Sequence, residues 1–228
     1  MSINILHFTK KDFFNFFSRK DFFLKLLKKK NILVFKKVFV NDVNLILKRI
    51  KFLEKKEFRF KNPRIGCSDI IIFNRNNKKS KNSGFYKKIL LFPWNKENLD
   101  IFFRLKQLND IRFFLINNKN LVNNKNYFYD SASAAIQVML YPRLIGFLGK
   151  HTDTGYNDYL CKISLDNYKF DSEDSSNGLI VYDKKEKIYI DPIEEKGDVI
   201  FINANLFHEV TPSLKNNRLS AYFSHVNF

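Results

Sequence analysis

GDVIFINANLFHEVTPSLKNNRLSAYFSH, residues 197–225, decides the fold. Its apolar runs are short: Val199–Ile202, His208–Val210 and Arg218–His225, the first preceded by a Gly197-Asp198 turn. Short runs broken by turn residues read as strands. The same texture extends back to Ser133, through Ile136–Tyr141, Tyr159–Leu165, Gly178–Tyr182 and Lys187–Ile190. A series of short strands with little helix between them indicates an antiparallel sandwich or jelly roll. The expected class is therefore mainly β with flanking α: a sandwich or jelly-roll core preceded by N-terminal helices.

Alternation within the last strand assigns its faces. Arg218, Ser220, Tyr222 and Ser224 share one side, and Leu219, Ala221 and Phe223 the other, apolar side. An arginine turned into a barrel needs an anionic partner, because an unpaired buried charge is very costly. A guanidinium pairs bidentately with a carboxylate, and a neighbouring hydroxyl adds a further bond. His225 falls with Phe223 on the outer face and is not assigned to the site.

Upstream, residues 1–130 are expected to be a helical and strand support region, with 131–228 as the core of a single domain. Phe13, Phe14, Phe16, Phe17, Phe22, Phe23, Leu26 and Leu27 recur at helical spacing between basic residues, which predicts one helix over Asp12–Lys30. Such stripes more often pack on a core than lie on a membrane. A strand is expected at Ile32–Phe35 and a helix over Asn41–Lys56 with Asn41 as N-cap. Strands are expected at Ile70–Phe73 and Ile89–Phe92, a helix over Asn95–Phe114, and a polar loop over Asn117–Asn126.

Composition narrows the classes. With 228 residues, 45% hydrophobic and 26 Phe, the chain is globular. Forty Lys and Arg against 23 Asp and Glu give a net charge of +17. Such a charge admits nucleic acid, an anionic membrane or an anionic substrate. Here Lys and Asn are spread along the whole chain, which favours a compositional origin. Two cysteines, Cys67 and Cys161, make no disulfide framework. Lys10, Lys11 and Asp12 interrupt the first apolar stretch, so no secretory leader is expected, and no apolar run is long enough for a membrane span. A cytoplasmic location follows as an expectation.

Four histidines remain to be placed: His7, His151, His208 and His225. On extended backbone His151 and Asp153 face the same way, and His208 begins a later strand. Two imidazoles and one carboxylate on one face of a metal leave three positions open, the arrangement of non-haem iron(II) oxygenases. By itself His-x-Asp is a weak signal. Arg218, ten residues after His208, and Ser220 two further on complete a more specific pattern.

Taken together, His151-x-Asp153, His208 and Arg218-x-Ser220 are similar to the iron and co-substrate motifs of iron(II)/2-oxoglutarate oxygenases. Tyr141-Pro142, HTDTG at 151–155, GLIV at 178–181 and RLSAYF at 218–223 resemble the isopenicillin N synthase-like branch. The Gly197 to His208 stretch is short for that branch and resembles prolyl hydroxylase-like enzymes. The resemblance covers residues 136–226 and implies a double-stranded β-helix, cupin-like jelly-roll core. It implies iron(II) on His151, Asp153 and His208, and 2-oxoglutarate on Arg218 and Ser220, with the Tyr141 hydroxyl bonding the 2-oxoglutarate carboxylate. O2 is the second co-substrate, and succinate and CO2 are released. Because Asp153 keeps the carboxylate, oxidation of an unactivated C–H bond, most simply hydroxylation, is expected over halogenation. The expected substrate is a small, amino-acid-derived molecule, and Arg143 is a candidate to reach an acidic group on it. Alternatives are a protein-residue hydroxylase, an iron oxidase that uses no 2-oxoglutarate, and a non-catalytic basic jelly-roll module that binds nucleic acid.

Overall fold

The computed structural model describes residues 3–55, 69–74, 84–117, 134–153, 159–166, 178–184, 186–189, 195–213 and 217–225. Among these residues the chain forms an eight-stranded and a four-stranded sheet. In the C-terminal half the strands are β5 (Ala134–Tyr141), β6 (Leu148–His151), β7 (Tyr159–Ser164), β8 (Gly178–Asp183), β9 (Glu186–Tyr189), β10 (Val199–Asn203), β11 (His208–Thr211) and β12 (Arg218–His225). The larger sheet takes β5, β7, β10 and β12 in the order β10-β7-β12-β5, and the smaller is β6-β11-β8-β9. Apart from the β8–β9 pair, chain-adjacent strands of this half thus cross between the two sheets, and the core is the jelly roll expected from the sequence.

The N-terminal half widens the larger sheet on both sides. On one side β1 (Ile5–Phe8) runs parallel to β2 (Ile32–Phe35), which pairs antiparallel with β10. On the other, β3 (Ile70–Asn74) pairs with β4 (Tyr86–Leu91), which pairs with β5. Among the described residues the α-helices are, in chain order, α1 (Lys10–Phe14), α2 (Lys20–Lys28), α3 (Val43–Lys55), α4 (Leu99–Arg104) and α5 (Lys106–Asn117).

Two apolar clusters occupy the two faces of the larger sheet. On the helix side, Phe13, Phe16, Phe23, Ile46, Leu108 and Ile111 pack onto Phe35, Val138, Cys161, Phe201 and Phe223. Phe16 and Phe23 stack at 4.8 Å between ring centroids, and Phe35 meets Phe201 edge-on at 5.7 Å. Much of the Phe-rich composition is thereby explained as core packing. On the barrel side, Ile32, Val34, Met139, Tyr141, Ile200 and Ile202 face Leu179, Val181 and Val210 of the smaller sheet. The period-two alternation along each strand divides its residues between these clusters.

The structure corrects several expectations. The single helix over Asp12–Lys30 is two helices, α1 and α2, joined by a 3-10 turn over Phe17–Arg19. The break follows local competition for the backbone: Ser18 Oγ donates to the Asn15 carbonyl at 2.8 Å. Thr9, outside the expected helix, forms a capping box with Asp12. The second helix begins at Val43, not at an Asn41 cap, and Leu105 divides the expected Asn95–Phe114 helix into α4 and α5. Strands β1 and β6 were not expected. Residues 118–126 of the expected polar loop, Lys56 and Ile190 lie outside the described residues.

One turn fastens the barrel to the N-terminal half. Gly197 has φ +83°, a conformation glycine adopts without strain. Its N–H donates to the Ser164 carbonyl at 2.8 Å, and its own carbonyl accepts from the Phe39 N–H at 3.0 Å. Buried Asp198 accepts from Lys36 Nζ at 2.5 Å, from the Lys37 N–H at 2.7 Å and from the Glu195 N–H at 2.9 Å. A Cβ on residue 197 would lie 2.4 Å from the Val40 nitrogen, a backbone atom. Gly197→Ala is expected to lower stability by more than about 1 kcal/mol, through strain and clash together. A urea midpoint unchanged from the parent would contradict this.

Candidate metal centre

His151 ends β6 and His208 begins β11, and the two are direct cross-strand partners. Their ring centroids are 4.3 Å apart. Local turns place both. Asn203 builds the turn before β11: its Oδ1 accepts from the Asn205 N–H at 2.9 Å and its carbonyl from the Leu206 N–H at 3.0 Å. The Ala204 carbonyl in that turn accepts from the Asp153 N–H at 3.0 Å, which holds the segment after β6 beside His208. The short Gly197 to His208 connection thus positions the third residue of the site as well as the second.

The side chains converge. His151 Nε2 lies 3.6 Å from Asp153 Oδ1, and His208 Nε2 lies 3.4 Å from Asp153 Oδ2. One candidate ligand atom from each residue falls within 4.8 Å of the others. His151 Nδ1 is 2.6 Å from the Gly149 carbonyl, and His208 Nδ1 is 2.9 Å from the Leu206 carbonyl. A carbonyl only accepts, so each Nδ1 carries the proton. In the neutral rings both Nε2 lone pairs are then free for a cation, the outer-sphere pattern that orients metal-binding imidazoles. Bonds of about 2.1 Å at right angles separate neighbouring donors by about 3 Å, close to the observed spacings. The donor set and its spacing fit a divalent first-row metal.

Burial alone would raise the carboxyl of Asp153. Before a metal binds, an imidazole that also carries a proton on Nε2 is cationic; the hydrogen bond and electrostatic interaction of His208 in that form outweigh burial, joined by His151 and Lys88, and hold the group below the usual aspartate range. Asp153 is therefore ionised at neutral pH.

On the larger sheet, Arg218 stands opposite Tyr141 in register, and Ser220 opposite Met139. Arg218 is 1% exposed and Ser220 fully buried. Ser220 Oγ donates to the Tyr222 hydroxyl at 3.4 Å. The guanidinium carbon of Arg218 is 5.9 Å from the Tyr141 ring centre. Burial pushes the Tyr141 phenol well above its usual value, with Tyr222 adding and Arg218 opposing, so its hydroxyl stays protonated and able to donate. Arg143 is exposed in the turn after β5, where its N–H donates to Asn217 Oδ1 at 2.9 Å.

A prolyl hydroxylase from Trichoplax adhaerens, in complex with a hypoxia-inducible-factor oxygen-degradation-domain peptide, is 14% identical. The match spans 89% of this chain and 86% of that one at a TM-score of 0.61. A 2OG-Fe(II) oxygenase family oxidoreductase from Burkholderia pseudomallei is 14% identical over 99% and 96%, at 0.51. JOX2, solved with 2OG, Fe and JA, is 14% identical over 98% and 75%, at 0.57. The chain has the fold of the 2OG-Fe(II) oxygenases. No protein-family model matches the sequence, and no curated protein is significantly similar to it. Matches to prolyl hydroxylases and to JOX2 alike establish the fold and leave the branch open.

Within that fold the sequence reading missed Lys88 of β4. It lies close enough to Asp153 for the two charges to interact. The available signal was strand alternation: Ile89 and Leu91 face the helices while Tyr86 packs on the barrel cluster, so Lys88 faces the barrel.

Proposed function

We propose that the protein is an iron(II)- and 2-oxoglutarate-dependent dioxygenase that hydroxylates an unactivated C–H bond of a small, amino-acid-derived substrate. The observation that carries the reading is the convergence of His151, Asp153 and His208, with both imidazole Nδ1 atoms tied back, inside a barrel that also holds buried Arg218. His151, Asp153 and His208 hold iron(II), which when bound couples O2 and the oxidative decarboxylation of 2-oxoglutarate to oxidation of the substrate.

The protein's own groups divide the remaining work. Asp153 offsets one of the two metal charges while the neutral imidazoles leave the rest in place. Arg218 receives the distal carboxylate of 2-oxoglutarate through its fork of N–H donors, and Ser220 offers a hydroxyl beside it. Tyr141, kept protonated, donates its O–H to a 2-oxoglutarate carboxylate. Burial of Arg218 and Ser220 excludes water, so the pairing acts in a low-dielectric environment. Residues 1–130 belong in this reading to the same functional unit, since β4 contributes to the barrel wall. Cys161 is buried, and burial pushes its thiol up to about 12, so it is inert and compatible with a cytoplasmic setting. Among the described residues no helix is long and apolar enough to cross a membrane.

Similarity to a prolyl hydroxylase solved with a peptide favours, as a second reading, hydroxylation of a protein residue. The deciding experiment follows succinate formation from 2-oxoglutarate, with iron(II) and O2, across a library of amino acids, their derivatives and short peptides. Stimulation by one class assigns the substrate. Failure to bind 2-oxoglutarate at all leaves the oxidase or the non-catalytic module.

A further inference from the structure

Lys87 and Lys88 are adjacent on β4 and meet different fates. Lys87, on the helix side, donates to Glu54 of α3 at 2.7 Å. Lys88, on the barrel side, is half-buried and makes no ion pair or hydrogen bond among the described residues. Its Cα partner on β5 is Met139, itself in the barrel cluster and the partner of Ser220. Tyr86, one alternation away, meets Tyr141 at 6.1 Å between ring centres, and Tyr141 pairs with Arg218. Lys88 therefore stands in the row beside Tyr86, Tyr141 and Arg218, on the far side of β5 from Arg218, and within electrostatic reach of Asp153.

A half-desolvated ammonium is costly unless an anion faces it. Among the described residues Asp153 is the negative charge that acts on Lys88, and in the oxygenase reading its charge is already committed to the metal. A divalent ion with Asp153 keeps one positive charge, and Lys88 and Arg218 add one each. The 2-oxoglutarate dianion cancels two, leaving one positive charge. Among the groups counted one positive charge is left over, and Lys88 is the half-exposed one that presents it.

We propose that Lys88 is a specificity-determining residue whose ammonium binds a carboxylate of the substrate beside the metal centre. The inference rests on the oxygenase reading and deepens it, naming the substrate class as a small carboxylic acid. A flexible ammonium suits this role: it pairs with a carboxylate as a point charge and tolerates variation in the rest of the molecule.

The test uses the full-length protein loaded with Mn(II) and 2-oxoglutarate without oxygen. Calorimetric titration compares N-acetyl amino acids with their C-terminal amides, and with dAMP as a phosphate monoester. Binding of Mn(II) and 2-oxoglutarate to the parent is measured first, and its absence overturns the oxygenase reading itself. With both bound, at least one acid is expected to bind at least about tenfold more tightly than its amide, the scale of one charged contact. That gap should fall below about threefold in Lys88→Met and persist in Lys88→Arg, with 2-oxoglutarate affinity within about twofold of the parent. Thermal melts establish that both variants are folded, and Lys88→Gln replaces Lys88→Met if that one is not. The proposal is overturned if acids and amides bind the parent alike, or if the gap survives Lys88→Met. It is equally overturned if 2-oxoglutarate affinity falls together with the gap, or if dAMP is the probe that depends on Lys88.

Discussion

Replacing His208 by alanine is expected to weaken divalent-metal binding by at least about 100-fold while leaving the protein folded; changes to outer-sphere partners alone cost about 10–100-fold. His208 is 3% exposed, and its Nε2 approaches Asp153 at 3.4 Å while its Nδ1–H is held by the Leu206 carbonyl. Truncation therefore removes one of three donors and, in the metal-free protein, the interaction with protonated His208 that helps keep the Asp153 carboxyl low. In the variant, burial acts on Asp153 with less opposition, so its carboxyl titrates higher than in the parent and metal binding becomes more sensitive to acid. The strand survives because β11 pairs with β6 and β8 through its backbone. Loss of one buried side-chain hydrogen bond costs about 1–3 kcal/mol, within the usual stability of about 5–15 kcal/mol. Titration with Mn(II) and Co(II), beside a thermal melt, measures both parts. A folded His208→Ala that binds metal as tightly as the parent would remove His208 from the centre.

How far the sequence could be read depended on whether the signal was local. Runs such as Tyr159–Ser164 and Val199–Asn203 bury nearly every residue, and a continuous apolar run announces such a strand directly. In Arg218-x-Ser220, side-chain alternation alone turned both residues inward, and both are buried. Strand β6 gave no such signal. It is Leu-Gly-Lys-His, with no side chain fully buried, and it exists because β11 lies beside it some sixty residues later in the chain. Strand β1 is likewise held by a parallel partner beyond two helices. The helix break at Asn15 to Arg19 was hidden for the opposite reason. The Phe spacing is helical throughout, and the interruption lies in the Ser18 hydroxyl bonding to the Asn15 carbonyl. Lys88 looked like one more basic residue in a lysine-rich chain. Its importance comes from the β4–β5 register and from Asp153, which only the folded chain brings near.

Arg218→Ala is expected to weaken 2-oxoglutarate binding by about 2–5 kcal/mol, the scale for breaking a buried, hydrogen-bonded charge pair. In affinity that is a loss of about 30-fold to several thousandfold. The residue is 1% exposed at the start of β12, and its register with Tyr141 fixes it on the barrel side between two strands. Ser220, in the next inward position, is buried as well. Arg218→Lys keeps the charge and loses the planar fork, so it should recover only part of the affinity. Metal binding should change little, because Arg218 belongs to β12 whereas His151 and His208 stand on the opposite sheet. This separation makes the test selective. A purely structural arginine, buried to complete the core, predicts that Arg218→Ala lowers the melting temperature and leaves 2-oxoglutarate affinity in the folded fraction unchanged. A co-substrate anchor predicts selective loss of 2-oxoglutarate at preserved Mn(II) affinity, read by calorimetry on the Mn(II)-loaded protein below its melting point. Unchanged 2-oxoglutarate affinity with intact metal binding would redirect the site towards an oxidase that uses no 2-oxoglutarate.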